Sequence, residues 1–350
     1  MSAIVRSVAK RMAKRLIIQT GLEAVALAGG ARIAPTAAGR GVIFTLHHVR
    51  PDFKRDYEPN GHLAITPQFL HSAIITARRA GLHPVHLEEL PTLLSDPADK
   101  RNFMCFTLDD GYCDNARYAA PVFQEHGTPY TIFITPGFVE RTRTIWWETA
   151  EQITRSASSF VFDFGHGEER VDCATSSAKF LAFERLAHFV QTTDEDLAVA
   201  RIDALAKTVG IDPMGIVEDE IMTAAALRHA VADPLLRLGA HTMTHPNLAR
   251  ISEARVRTEL DQSAARIAAY VGRQPTTIAF PYGSRDAVTA RESAIARELG
   301  FVAAVTTQPG VLTPGDRTDF MHLPRVSLNG HYQKSRYVKA LISGLPFRRT

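Results

Sequence analysis

Two adjacent carboxylates, Asp109 and Asp110, end the apolar run Phe103-Met104-Cys105-Phe106-Thr107-Leu108 and are followed by Gly111. A short apolar run rich in aromatics reads as a buried strand. Side chains alternate across a strand, so two consecutive ones cannot serve one task from one face. If both reach one pocket they enter it from different directions, which suits one as proton acceptor and the other as metal ligand. Asp-Asp-Gly is also ordinary turn chemistry, and alone it does not choose between the two. The second feature is Gly239-Ala240-His241-Thr242-Met243-Thr244-His245. Histidines four apart can face one ion from a single turn of helix or from a curled strand end. With 14 histidines in the chain the spacing alone is weak evidence, but the pair follows an apolar run just as the aspartates do. A carboxylate, two imidazoles and a water make a catalytic zinc-type site with an open position.

The elements that would position these groups alternate. Gly41–Leu46 is a strand candidate ending on His47-His48, and the chain is then polar and turn-rich from Pro51 to Gly61. Thr66 is a plausible N-cap and Pro67 a first helical residue, with Phe69, Leu70, Ile74 and Ile75 on one face and Gly81 as the stop. Val85-His86-Leu87 reads as a short strand and Leu90–Leu94 as a short helix. The Asp-Asp strand follows, then a helix from Ala116 to Glu125 closed by Gly127, and the strand Thr131–Thr135. This order predicts a parallel sheet, open or closed into a barrel, whose catalytic groups collect at the C-terminal strand ends. His47, Asp109 and Asp110 sit at such ends. Between residues 140 and 231 the rhythm breaks into a segment with both tryptophans, Trp146 and Trp147, a hairpin around Gly165-His166-Gly167, and helices over 178–190 and 194–209. Alternation resumes at Leu238, Ile278 and Val302. The expected organisation is a basic arm over 1–40, an α/β barrel over 41–330 with an insertion at 140–231, and a basic tail over 331–350.

Composition narrows the class. Across 350 residues, 45% hydrophobic and 22% charged, the chain reads as a globular enzyme, and a net charge of +3 calls for no nucleic-acid partner. Three cysteines without metal-site spacing, Cys105, Cys113 and Cys173, fit a reducing compartment. The arm carries Arg6, Lys10, Arg11, Lys14 and Arg15 with no acid among its first fifteen residues, and Gln19 and Glu23 break its apolar stretch. It is too interrupted to span a bilayer or to serve as a secretory signal. We read it as a solvated helix or a peripheral contact with an anionic membrane surface, and expect a cytoplasmic protein, free or on the inner membrane face. No obligate protein partner is indicated.

Thr107-Leu108-Asp109-Asp110-Gly111, His241-Thr242-Met243-Thr244-His245 and Phe280-Pro281-Tyr282-Gly283 resemble, in order, the first three motifs of the polysaccharide deacetylases (carbohydrate esterase family 4), which include the nodulation-type chitooligosaccharide deacetylases. The resemblance covers Gly41 to Asn329. It implies a distorted parallel (β/α) barrel and a hydrolase that removes N-acetyl groups from N-acetylglucosamine-containing glycans and releases acetate. It implies Asp109 as base, and Asp110, His241 and His245 as ligands of one divalent ion, zinc first, with nickel, cobalt or iron as substitutes.

The chain departs from the family in two places. Ala279 stands where the third motif usually has arginine. Arg325, in Leu323-Pro324-Arg325-Val326, is the candidate guanidinium to orient Asp109, and is grouped with the substrate-binding residues. The late Leu-x-His motif that supplies the acid is imitated only by Phe320-Met321-His322. Leu46-His47 and Ala279-Phe280-Pro281-Tyr282-Gly283 are closer to a sub-branch resembling the exopolysaccharide poly-N-acetylglucosamine deacetylases, which makes His47 the preferred acid, ahead of His48 and His322. A backbone N–H near Tyr112 would hold the oxyanion. Tyr282, Trp146 and Trp147 would offer aromatic surfaces to sugar, the tryptophans alternatively serving as core of the insertion. Competing functions are a metal-dependent amidohydrolase on a non-sugar amide and a non-catalytic glycan-binding barrel.

Overall fold

Eight strands pair in parallel to form the main sheet: β1 (Gly41–Leu46), β2 (Leu82–Pro84), β3 (Asn102–Leu108), β4 (Tyr130–Ile134), β5 (Leu236–Ala240), β6 (Thr277–Ala279), β7 (Ala303–Val305) and β8 (Val326–Ser327). In this computed structural model the described residues are 3–28, 35–51 and 56–347. The side chains of Arg6, Lys10, Arg11 and Lys14, on which the reading of the arm rests, lie outside the described residues, as do Arg348 and Arg349 of the tail. The spatial order is β7-β6-β5-β4-β3-β1-β8, with β2 beside the first half of β3. β1 and β3 are buried along almost their whole length, as expected for strands covered on both faces. The sheet curls into the distorted parallel (β/α) barrel that the resemblance implied. Its edges meet through one segment, in which Leu323 bridges Val305 of β7 and Val326 pairs with Phe44 of β1.

Period-two alternation assigns one face of each strand to the interior. Ile43, Phe103, Cys105, Phe133, Ala279, Ala303, Val305 and Leu323 pack there with Leu87, Leu90 and Leu94. The helix Pro67–Arg79 begins as expected, with Thr66 accepting the Phe69 N–H at 3.1 Å, and buries Phe69, Leu70, Ala73 and Ile74. The strand expected at Val85–Leu87 instead lies three residues earlier. Gly81, at φ +84°, ends the helix and delivers Leu82 directly into pairing with Asn102. Val85 makes only a last bond to the Met104 carbonyl, and Leu87–Glu89 forms a 3₁₀ turn. The helix expected from Ala116 begins instead with a π-helical turn, Asn115–Ala119, that continues into Ala120–Glu125.

The chain divides into two compact units. One comprises Thr20–Pro51, Leu63–Glu140 and Ile221–Thr350, and holds the barrel; the other comprises Met1–Gln19, Asp52–His62 and Arg141–Glu220. In the second unit, helices Trp146–Ser156, Ser176–Thr192 and Glu195–Thr208 accompany an antiparallel hairpin, Ser159–Asp163 with Glu168–Asp172. The Asp163 carboxylate accepts the N–H groups of Gly165, His166 and Gly167 and so sets the hairpin turn. The N-terminal helix runs Ala3–Leu27. No helix among the described residues is long and apolar enough to cross a membrane.

Candidate active site

Asp109 continues the inward face of β3. Cys105 lies in the barrel interior, Thr107 is two residues on, and Asp109, whose N–H bonds the Leu46 carbonyl at 3.0 Å, is two further still. Asp110 and Gly111 then both take left-handed backbone, at φ +75° and +78°. That reversal brings two consecutive carboxylates into one site. Gly111 is required there, since a Cβ would lie 2.9 Å from the Ile134 side chain at a backbone angle that L-residues avoid. Of the five non-glycine residues with positive φ among those described, Asp110, Thr242, His245 and Tyr282 belong to the three motifs. Each such residue costs on the order of 1 kcal/mol or more, and strain of this kind gathers at functional sites.

His241 follows β5, and its N–H bonds the Ile134 carbonyl at 2.9 Å. The pair is carried on a strand-end loop rather than on a helical turn. The His241 Nδ1 lies 2.7 Å from the Ala279 carbonyl, which can only accept, so Nδ1 carries the proton and Nε2 presents a lone pair. That Nε2 lies 3.5 Å from Asp110 Oδ1, and the His245 Nε2 lies 3.6 Å from the same oxygen. Burial pushes the His241 imidazole below its ordinary pKa although Asp109 opposes it. Burial, reinforced by His241, pushes His245 further down. Both rings are therefore neutral at pH 7, the form that binds metal. Ligand atoms about 2.0–2.1 Å from a tetrahedral ion stand about 3.3 Å apart, so this donor set fits a divalent ion with little adjustment.

Beside this cluster, Arg325 grips Asp109 in a two-pronged bond, Nη1 to Oδ1 and Nη2 to Oδ2, each 2.7 Å. Its Nε bonds the Thr306 carbonyl at 2.7 Å and its Nη1 the Thr107 hydroxyl at 3.1 Å. Leu323 is interior, so Arg325, two residues on along the closing segment, points the same way. Ala279, also interior, carries no guanidinium of its own there. Arg325 is 1% exposed and touches the proposed base, which makes it a positioning residue. Burial would raise the Asp109 pKa, but the Arg325 charge, with smaller help from His241 and His47, holds it well below the usual carboxylate range. The His47 Nε2 lies 3.9 Å from Asp109 Oδ2, and its ring is partly open to solvent.

The other candidates separate. The Tyr282 ring lies 5.2 Å from that of His245. The Tyr112 side chain is fully buried and lies over His48 at 3.7 Å, so it offers no surface to a substrate. His48 is itself buried, with Nδ1 2.7 Å from Asp114. His322 faces Ser293 and Gln308. Trp146 and Trp147 lie in the second unit, both buried and packed edge to face, with the Trp147 carbonyl accepting from Asn60. Sequence reasoning missed Glu259, whose carboxylate takes the Thr244 N–H at 2.8 Å and hydroxyl at 2.6 Å and so pins the histidine loop. A glutamate on the same helix face as Val256, Leu260 and Ser263 was the available signal. It also missed Asp114 and Asn115, which hold the Val49 N–H at 3.2 Å and the His47 carbonyl at 2.7 Å.

Residues 206–304 match the family model of the polysaccharide deacetylases. The match contains both histidines and the third motif; the aspartates join them through the fold. The chain is similar in structure to the Streptococcus pyogenes deacetylase PplD in complex with acetate, at TM-score 0.52 and 16% identity, covering 83% of this chain and 93% of that one. It is similar to a polysaccharide deacetylase from Bacillus cereus, at TM-score 0.53 and 15% identity, covering 86% and 68%. A third likeness is to IcaB from Ammonifex degensii, at TM-score 0.50 and 18% identity, covering 83% and 92%. At these identities the likenesses bear on the fold. No curated protein sequence matches the chain significantly. The chain is therefore similar to the polysaccharide deacetylases in sequence over residues 206–304 and in fold over most of its length.

Proposed function

We propose that the protein is a metal-dependent hydrolase that removes N-acetyl groups from N-acetylglucosamine-containing oligo- or polysaccharide and releases acetate. Asp110, His241 and His245 would hold the ion, zinc first among the candidates. A divalent ion there would acidify a water and polarise the acetamide carbonyl. Asp109, kept ionised by Arg325, takes the proton of the attacking water. The backbone near Tyr112 offers a donor to the developing oxyanion. An amide nitrogen cannot leave as an anion at neutral pH, so His47, through Nε2, hands it a proton.

The observation that carries this reading is the junction of the two halves. A neutral two-imidazole, one-carboxylate donor set stands beside a second carboxylate clamped by arginine, with a partly exposed imidazole 3.9 Å away. A module that only bound glycan would gain nothing from a buried ionised base. An amidohydrolase for non-sugar amides would use the same groups, and substrate choice separates it. His241→Ala and His245→Ala should each lose the tightest equivalent of divalent metal together with activity. Retention of that equivalent in both variants would overturn the ligand assignment.

A further inference from the structure

We propose that His71, Glu125 and His126 form a second divalent-metal site on the barrel unit, distinct from the one assigned to catalysis. His71 lies midway along the helix Pro67–Arg79, and Glu125 and His126 end the helix Ala120–Glu125. Gly127 and Thr128 lead from there into the start of β4. The cluster is therefore at the N-terminal end of β4, whereas the catalytic groups gather at the C-terminal ends of the strands.

The His126 Nε2 lies 3.0 Å from the His71 Nδ1, and that nitrogen lies 3.6 Å from Glu125 Oε1. These separations bracket the spacing of about 3.3 Å expected between ligands of a tetrahedral zinc ion. Among the described residues, two groups of three such side chains bring their donor atoms within 4.8 Å of one another, and this is the one outside the motifs. Two imidazole nitrogens and a carboxylate oxygen suit zinc, nickel or copper better than magnesium or calcium. The turn that presents His126 is held in place, because Arg78 Nη2 bonds the His126 carbonyl at 2.6 Å and the Thr128 hydroxyl at 3.2 Å. The His71 and Glu125 side chains are 41% and 61% exposed, so an ion would enter from solvent and keep water on its open positions. An ion there would tie two helices of the barrel unit together. At 3.0 Å the ring nitrogens can instead share a proton, and that is the competing occupant.

Metal-stripped protein titrated with zinc should take up two equivalents, the second more weakly. His71→Ala and His126→Ala should each lose that weaker equivalent and keep the tighter one. Both positions are partly exposed, so the variants should keep the fold, which far-UV circular dichroism checks. Zinc should raise the melting temperature of His241→Ala, and should no longer do so once His71→Ala is added. Equal zinc uptake by wild type and His71→Ala, with the same thermal response in the single and double variants, would mean a proton-bridged pair only and would overturn the site. Stoichiometry and thermal response are read without turnover, so this outcome is independent of the deacetylase reading.

Discussion

At the scale of single residues, the site turns on the bond between Arg325 and Asp109. Both groups are buried, so removing one partner strands the other's charge. Arg325→Ala should destabilise the protein by about 3–5 kcal/mol in chemical denaturation. It should also raise the Asp109 pKa, since its main opposing charge is lost. A base must be unprotonated to act, so the acid limb of the activity profile should move to higher pH; an unmoved limb would mean that Arg325 does not tune the base. His47→Ala should keep its metal yet lose about a hundredfold or more in kcat, while His322→Ala should leave kcat almost unchanged. The reverse ranking, read from initial rates on an N-acetylated oligosaccharide, would move the acid to His322. Residue types and spacing drew attention to the aspartates and histidines without deciding what they do; the resemblance of the three motifs joined them, and the fold brings Asp110, His241 and His245 together. The left-handed turn at Asp110 that lets neighbouring carboxylates share a site was not legible, since aspartate takes that conformation only in a minority of cases and no local pattern marks this one. The reach of Arg325 depended on a strand closure that no local pattern announces.

At the scale of elements, long apolar strands were legible and short ones were not. β1 and β3 announce themselves by composition, whereas β8 has two residues, follows Pro324, and is a strand only because Phe44 and Thr45 are there to pair with it. The N-terminal helix is a similar case. Glu23, which in sequence only interrupts an apolar stretch, is held by Lys334, Arg336 and Tyr337 at the start of the helix Ser335–Ile342. Leu22 packs with Tyr337 and Ala340 one residue away. The Arg336 hydrogen bonds, with those of Tyr337 and Lys334, hold the Glu23 carboxyl down at about 2 from an ordinary 4.5. Its folded-state pKa is thus depressed, so its contribution is complete above about pH 4.5 and fades as pH falls toward 2. Glu23→Gln should therefore lower the melting temperature at pH 7 and melt closer to wild type as the pH approaches 2. A variant that melts with wild type at neutral pH would show that this clamp does not hold the helix.

At the scale of the whole molecule, the break in rhythm after residue 140 marks a second unit, but its membership was not legible locally. The polar stretch around Tyr57 and Asn60 reads as loop, yet it belongs with Arg141–Glu220. The Tyr57 hydroxyl bonds Thr154 at 2.5 Å, and the Asn60 backbone and side chain bond Glu151 at 3.2 Å and the Trp147 carbonyl at 2.9 Å. Associations between segments far apart in sequence leave no periodic trace. The barrel brings the ends of β1, β3 and β5 and the approach to β8 to one place, and the proposed chemistry draws on all four. The most direct test is the mass of N-acetylglucosamine oligomers after incubation with zinc-loaded protein, wild type beside Asp109→Asn. Wild type should remove acetyl groups with matching release of acetate, and Asp109→Asn should bind zinc yet leave the oligomers intact. Intact oligomers with zinc-loaded wild type, or equal deacetylation by Asp109→Asn, would contradict the account.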